Sequence, residues 1–495
     1  MRTLRALLVG LLAMAVVVGA AGVATARTHL IDVRRDVRLT GHGYGHGIGM
    51  SQYGAEGAAR EGRTWREIVS FYYPGTTIGR GGGTLRVLIT ADTTADVKVS
   101  PAPNLHIRDL GARRAWELPA RAGISRWRIN PNRWVQRYED GRWRRWRQMD
   151  GPSSEFYRPG GATVDLWVPG SGGEVTKAYR GRLRATHDDT VNVLQLEDYL
   201  RGVVPREMPA SWSSEALKSQ AVAARTYAIR LRAENPRRYY QMCDTTSCQV
   251  YEGADAEDAR SDAAIQATAH RVLRYDGAPA LTMFSSSTGG WSADGGLPYL
   301  RARRDTWDGW NGNPMHTWHT TISAASIESR YPAIGRLIGL DIVKRSGDGR
   351  WGGRVEQVVL DGTSGDVTVS GTDLRFSFGL RSHWFRPTST AIGTKWRKLG
   401  RESSAVGGTK RPEYATRGGA AQVFDRGRIY WSKETGAHEV HGAVLKRYLH
   451  LGGAKGRLRF PTTDEHAVRG GRASDFQGGR LVWHRASKRV TVRYF

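Results

Sequence analysis

The chain has 495 residues, 74 Lys+Arg against 47 Asp+Glu, a formal net charge of +27 and only two cysteines. That length accommodates about three domains, and the cationic excess calls for an anionic partner, either nucleic acid or a cell envelope of phosphate and carboxylate polymers. The cations are spread along the whole chain rather than gathered in one helix or arm, which favours electrostatic adhesion over groove reading, although a compositional preference for arginine would give the same total.

Arg2 and Arg5 precede an apolar run from Ala6 to Val23, followed by Ala24-Thr25-Ala26. This is the pattern of a signal peptide over 1–26, cleaved after Ala26; the run is also long enough for an uncleaved anchor. Either way the rest of the chain is exported, and no later stretch is apolar enough to span. Residues 27–40 read as a lead-in. In GHGYGHGIGMSQYGAEGAAREGRTWREIVSFYYPGT (41–76) the alternating glycines forbid a stable helix at the start. Ser51 then caps a helix to about Arg60, stopped by Gly62, and Thr64 with Glu67 forms a capping box for a second helix that Pro74 ends.

From Thr84 the pattern changes to strands: TLRVLIT, ATVDLWV and TVNVLQL are β-branched and bounded by turns. Between them, residues 126–151 interleave Trp127, Trp134, Trp143 and Trp146 with arginines. Two readings fit: a surface for sugar stacking and anion binding, or a basic β-hairpin insertion turning at Glu139-Asp140-Gly141. The aromatic–basic pattern also suits single-stranded nucleic acid, which export disfavours.

The segment VVPREMPASWSSEALKSQAVAARTYA (203–228) sets Glu207 between Pro205 and Pro209. Proline fixes its own φ and restricts its predecessor, so Arg206–Met208 is clamped at both ends. A helix follows from near Ser213 past Ile229, with Leu217, Ala221, Ala224, Ala228 and Leu231 as its core face. Lys218 and Arg225 lie on the adjacent stripe, as ligand contacts or as snorkelling surface cations. Cys243 and Cys248 form a disulfide in an exported chain; zinc would need further ligands, and His270 has no ligand-like spacing to the pair. Residues 386–412 read as a polar linker. Beyond it Phe424 and Phe476, Ile429 and Leu481, and Trp431 and Trp483 are each 52 positions apart, which marks an internal repeat.

DYLRGVVPREMPASWSSEALKSQAVAARTYA (198–228) closely resembles the core motif of the SpoIID/LytB family of sporulation-stage lytic transglycosylases and amidase enhancers acting on peptidoglycan. CDTTSCQVYEG (243–253), MFSSSTGGWSADGGLPYLRARRDTWD (283–308), SGTDLRFSFGLRSHWF (370–385), GHGYGHGIGMSQYGA (41–55) and FYYPGT (71–76) extend the resemblance over 41–385. In that family the GHGxGMSQ segment usually comes last; here it comes first, as in a circular permutation, so 41–78 is expected to pack beside 371–385 and complete one cleft. The tail, 413–495, resembles LGFP repeats of exported cell-wall proteins, with LRFPTTDE (458–465) carrying Arg459 where the repeat has glycine.

The resemblance implies an α+β fold: a mixed, β-rich catalytic domain with an alanine-rich helix beside the cleft, plus a small repeat domain. It places the catalytic acid at Glu207. One acid suffices in a lytic transglycosylase because the substrate's own hydroxyl is the nucleophile, whereas a hydrolase needs two carboxylates. Glu215 reads as structural, in the first turn of its helix. Asp305 and Asp308 are candidates for a second cleft carboxylate. His46, Ser51, Gln52, Ser286 and Ser287 are expected to line the sugar cleft. Lys218 and Arg225 are expected to hold acetamido or lactyl groups, or to buttress the turn. His42 and His46 are four apart, but the intervening glycines remove the helical face that makes this spacing a zinc site, and Ser285–Ser287 lack a nucleophile elbow. The expected partners are glycan strands, anionic wall polymers and, for an enhancer, a wall amidase. No cofactor is expected. The alternatives to an enzyme are a non-catalytic amidase enhancer and a wall-adhesion protein.

Overall fold

The computed structural model describes residues 29–30 and 36–495; the expected signal peptide, 1–26, lies outside the described residues. The local signals at the N-terminal side produce the expected helices. Helix α1 (Gln52–Arg60) starts where the Ser51 side chain accepts the Gly54 N–H, and α2 (Trp65–Tyr72) starts at a full Thr64/Glu67 capping box. Helices α3 (Leu196–Arg201) and α4 (Val204–Glu207) lead into the long α5 (Ser214–Glu234). Helix α5 is buried on more than its expected face: Ala216, Leu217, Ala221, Val222, Ala223, Ala224 and Ala228 are all inaccessible. Alanine is what lets α1, α2, α6 (Ala259–Ala267) and the strand Arg271–Tyr275 close on it together.

The architecture is α+β. The three anticipated strands occur as Thr84–Leu88, Val164–Gly170 and Asp189–Gln195. The first and third are neighbours in a seven-stranded sheet and the second belongs to a six-stranded sheet. One continuous core runs from Met50 to Leu300. A second core joins Val37 and Leu39 to Trp318, Leu340, Val358 and Phe385. Strand Asp36–His42 is central to that junction, pairing with Thr317–Ser323 on one side and Phe385–Pro387 on the other. Among the described residues no helix is long and apolar enough to cross a membrane.

Residues 126–151 cover most of three consecutive antiparallel strands in the six-stranded sheet, Ile124–Ile129, Trp134–Glu139 and Arg142–Gln148, the last two forming a hairpin that turns at Asp140 and Gly141 with φ of 50° and 75°. Trp127 is fully buried. Arg128 lies over Trp143 at 4.1 Å, Arg145 over Trp134 at 4.7 Å and Arg147 over Trp146 at 4.9 Å. These cations compete for the aromatic faces that sugar stacking would use.

The stretch read as a linker, 386–412, holds a helix, Ala391–Lys398, whose Ile392 and Trp396 are buried in a core with Phe424 and Ile429. It opens a repeat unit. The helix Gly442–His450 opens the second unit, and Tyr448 stacks on Phe476 as Trp396 approaches Phe424, each partner 52 residues on. Each unit then lays down a four-stranded antiparallel sheet. The glycines that suggested a spacer are turn positions: Gly400 and Gly452 both sit in the left-handed region, at φ of 98° and 91°. Trp396→Ala is expected to destabilise the C-terminal module by about 3–5 kcal/mol, measured by denaturant unfolding; a spacer would tolerate it.

Candidate active-site cleft

Glu207 stands at the end of α4, one residue before Met208, which is extended (φ −137°, ψ 132°) and leads into Pro209. The short helix carries Pro205 in its first turn, and its last amides return to Val203 and Val204. The turn is thus fixed by proline on one side and by a buried Met208 on the other. The side chain projects into a cavity of about 520 Å³. Four segments meet there: Tyr44–His46 and Gln52, the disulfide loop up to Val250, Met283–Ser286, and Arg375.

Among the described residues Glu207 is the only acid lining this cavity. Its Oε1 accepts the Val250 N–H at 3.0 Å and its Oε2 the Gln52 Nε2 at 3.4 Å. Burial pushes its carboxyl above the usual range, and these two donors only partly oppose the shift. Cys243 and Cys248 are joined, which pins the loop that presents the Val250 amide. His46 is held neutral: burial, then Arg354 and Arg375, lower it to about 4. Its Nδ1 accepts the Ile48 N–H, so Nε2 carries the ring proton.

The N-terminal segment packs beside 371–385, the juxtaposition expected of a permuted order. Gly45 N–H donates to Arg381 O, His42 N–H to Trp384 O, and Ser382 Oγ to His42 O. Gly47 has to be glycine here, because its φ is 76° and a Cβ would lie 1.8 Å from the Arg354 guanidinium.

Of the expected site residues, Glu207, His46, Gln52 and Ser286 line the cavity, and Lys218, Arg225, Ser51 and Ser287 do not. Lys218 pairs with Glu215 at 2.6 Å, while Glu215 accepts the Trp65 N–H that starts α2. Arg225 is wholly buried, bidentate to Glu197 at 2.9 and 2.7 Å, with further bonds to the carbonyls of Ile265 and Arg271. It is a strut between α3, α5 and α6. Ser51 is an N-cap and a donor to Asp308 at 2.6 Å, and Ser287 donates to the same carboxylate. Asp305 and Asp308 are both buried behind the cleft wall and supply no second cleft carboxylate. Sequence reasoning overlooked Tyr227 and Arg375 as lining residues. Arg375 stands inside the quoted SGTDLRFSFGLRSHWF motif, which was the available signal.

Residues 184–275 match the family model described as Stage II sporulation protein, SpoIID, across α3, Glu207, α5 and the disulfide. Residues 407–456 and 458–494 each match the LGFP repeat. The chain therefore contains a SpoIID family domain and carries two LGFP repeats. It is 39% identical over 139 residues to the amidase enhancer of Bacillus subtilis, covering 26% of this chain and 18% of that protein. It is 30% identical over 235 residues to stage II sporulation protein D of Bacillus amyloliquefaciens, and 28% over 233 residues to that of Bacillus subtilis. Each of those two alignments covers 42% of this chain and 66% of the relative.

Arg225→Met removes the guanidinium from Glu197 and leaves the carbonyls of Ile265 and Arg271 without this donor, and is expected to cost about 3–5 kcal/mol of stability. Lys218→Ala removes a part-exposed pair and is expected to cost at most about 1 kcal/mol. Denaturant unfolding of both variants checks the contrast, and equal small losses would contradict the strut role.

Proposed function

We propose that this protein is an exported peptidoglycan lytic transglycosylase in which Glu207 is both general acid and general base. A cell-wall role is supported by the SpoIID match, the named relatives and the LGFP repeats. The observation that carries the enzymatic reading is that a single carboxyl lines the cleft and burial raises its pKa. In the first step the Glu207 carboxyl gives its proton to the glycosidic oxygen as the C1–O bond breaks. The resulting carboxylate then takes the proton of the muramic 6-hydroxyl as that oxygen bonds to C1, closing an anhydro ring and restoring the acid. Water is not consumed, so no second carboxylate has to activate it.

The surroundings suit this cycle. Neither Lys218 nor Arg225 points at Glu207, so neither opposes its protonation. The Val250 N–H and the Gln52 amide are placed to stabilise the carboxylate once it forms. Arg206 and Arg375 reach the cleft lining and could meet carboxylate groups of the glycan; Arg206 also pairs with Glu252 at 3.1 Å. The LGFP repeats would hold the enzyme at the wall, and a partner amidase belongs to the second reading, a glycan-binding amidase enhancer, which the likeness to the Bacillus subtilis enhancer favours.

Purified protein incubated with glycan strands, intact or stripped of stem peptides, is expected to yield anhydro-muramic ends by mass spectrometry, and Glu207→Gln to yield none. If neither substrate gives products while an added wall amidase is accelerated, the enhancer reading replaces the enzyme. The acid form of Glu207 starts the reaction, so its raised pKa extends activity toward higher pH. Gln52→Met removes a donor that favours the charged form, and the alkaline limb of the pH–rate profile is expected to move up; a downward move would refute the Gln52–Glu207 bond.

A further inference from the structure

The two LGFP units occupy the same backbone positions 52 residues apart, which allows one to be read against the other. Thr409 bridges Phe424 in the first as Pro461 bridges Phe476 in the second. Just before these bridges stand Gly407, with φ 83°, and Arg459, with φ 56°. Both are in the left-handed region, which glycine enters freely and a residue with a Cβ enters under strain. Strain of this kind persists where something else requires the side chain.

What surrounds Arg459 is a cavity of about 620 Å³ at the seam between the units, within the range of small-ligand sites. Arg417, Lys433, Lys455, Arg457 and Arg459 all line it. The one acid in the lining, Glu434, accepts a hydrogen bond from Gln477 Nε2 at 2.7 Å. Arg457 lies over the Tyr494 ring at 4.3 Å. The described residues offer no ion-pair partner to Arg417, Lys433, Lys455 or Arg459. Arg401, the opposite exchange, makes the contrast: it sits at φ 57° where the second unit has Gly453, and it is close enough to Asp341 to favour that carboxylate's charged form. Arg401 thus lies within electrostatic reach of a carboxylate, without forming an ion pair, whereas among the described residues no carboxylate pairs with Arg459.

We infer that the seam between the two LGFP units is a binding site for an anionic glycopolymer, with the Arg459 guanidinium as its central contact. The ligand chemistry is a chain of phosphodiester or carboxylate groups. A guanidinium fork takes either in bidentate fashion, and the flanking lysines supply point charges for neighbouring groups along the polymer. This deepens the wall-binding reading of the tail and is independent of catalysis in the cleft.

The test uses the full chain and three soluble probes: poly(glycerol phosphate), polygalacturonate and neutral dextran. Binding is expected to the first, the second or both, which identifies the phosphate or carboxylate source, and not to dextran. Arg459→Gly restores the repeat's own glycine, so it is expected to weaken polyanion binding about tenfold or more while leaving Tm unchanged or higher. Arg469→Ala removes one exposed charge of the same module outside the seam and is expected to change binding less than twofold. Glu207→Gln should bind as the parent does. Equal losses in Arg459→Gly and Arg469→Ala would reduce the effect to overall charge and overturn the site. So would undiminished binding by Arg459→Gly, or a lowered Tm, which would make Arg459 structural. Tighter, Arg459-dependent binding of duplex DNA than of either polymer would overturn the assignment to a glycopolymer. Full retention of Arg459→Gly on purified wall sacculi, with no probe bound by the parent, would leave wall binding standing and remove the seam.

Discussion

The cleft depends on one buried carboxylate that takes no part in it. Asp308 is wholly inaccessible and accepts the Ser51 hydroxyl at 2.6 Å, the Ser287 hydroxyl at 2.9 Å and the Thr288 N–H at 3.0 Å, with His316 Nδ1 2.8 Å away. Ser51 belongs to the N-terminal segment, and Ser287 and Thr288 to a loop more than 200 residues later. A buried carboxylate with this many donors is costly to leave unmatched, so it fixes the two segments against each other. With the backbone pairing of Met50–Ser51 to Phe284–Ser285 and of Tyr44 to Ser287, this register brings Gln52 and Tyr44–His46 to the cavity that Glu207 lines. Asp305 adds a second layer, accepting the hydroxyls of Tyr72 and Thr288. Burial, and after it the charge of Asp308, push the Asp305 carboxyl above the usual range.

What was legible in the sequence was local. Ser51, Thr64 and Glu67 cap the helices they were expected to cap, because capping is decided within four residues. Glu207 between two prolines was legible for the same reason. The roles of Arg225 and Ser287, and the bond from Ser51 to Asp308, were not, because each is set by a partner supplied by tertiary packing. Arg225 illustrates the limit: its position on α5 is periodic and readable, while Glu197 and the carbonyls of Ile265 and Arg271, which define its task, come from other elements. The juxtaposition of 41–78 with 371–385 was inferable only because the order of recognisable motifs differed from the family's.

Misreading 386–412 as a spacer has a physical cause too. A helix of eight residues followed by glycine turns gives too short an apolar period to stand out, and only Ile392 and Trp396 anchor it by large apolar side chains. The repeat itself was visible through three large apolar residues, yet its true unit includes the helix that precedes them. Once the units are superposed by their 52-residue offset, glycine and arginine exchange places at two left-handed positions. That comparison within one chain separates backbone need from side-chain use, which composition could not do in a molecule so rich in both residues.

The remaining constraint is electrostatic. A chain with 27 excess positive charges has to keep a buried acid from being ionised by its own cations. It does so by distribution. Lys218 is neutralised by Glu215, Arg225 by Glu197, and Arg206 leans on Glu252, while no cation is among the causes that shift Glu207. The groups that do contact Glu207 are an amide N–H and a neutral carboxamide, which stabilise a carboxylate without demanding one. Asp305 and Asp308 are sealed behind the wall, so among the described residues Glu207 is the one carboxyl that meets the cleft, and the two groups bonded to it carry no charge.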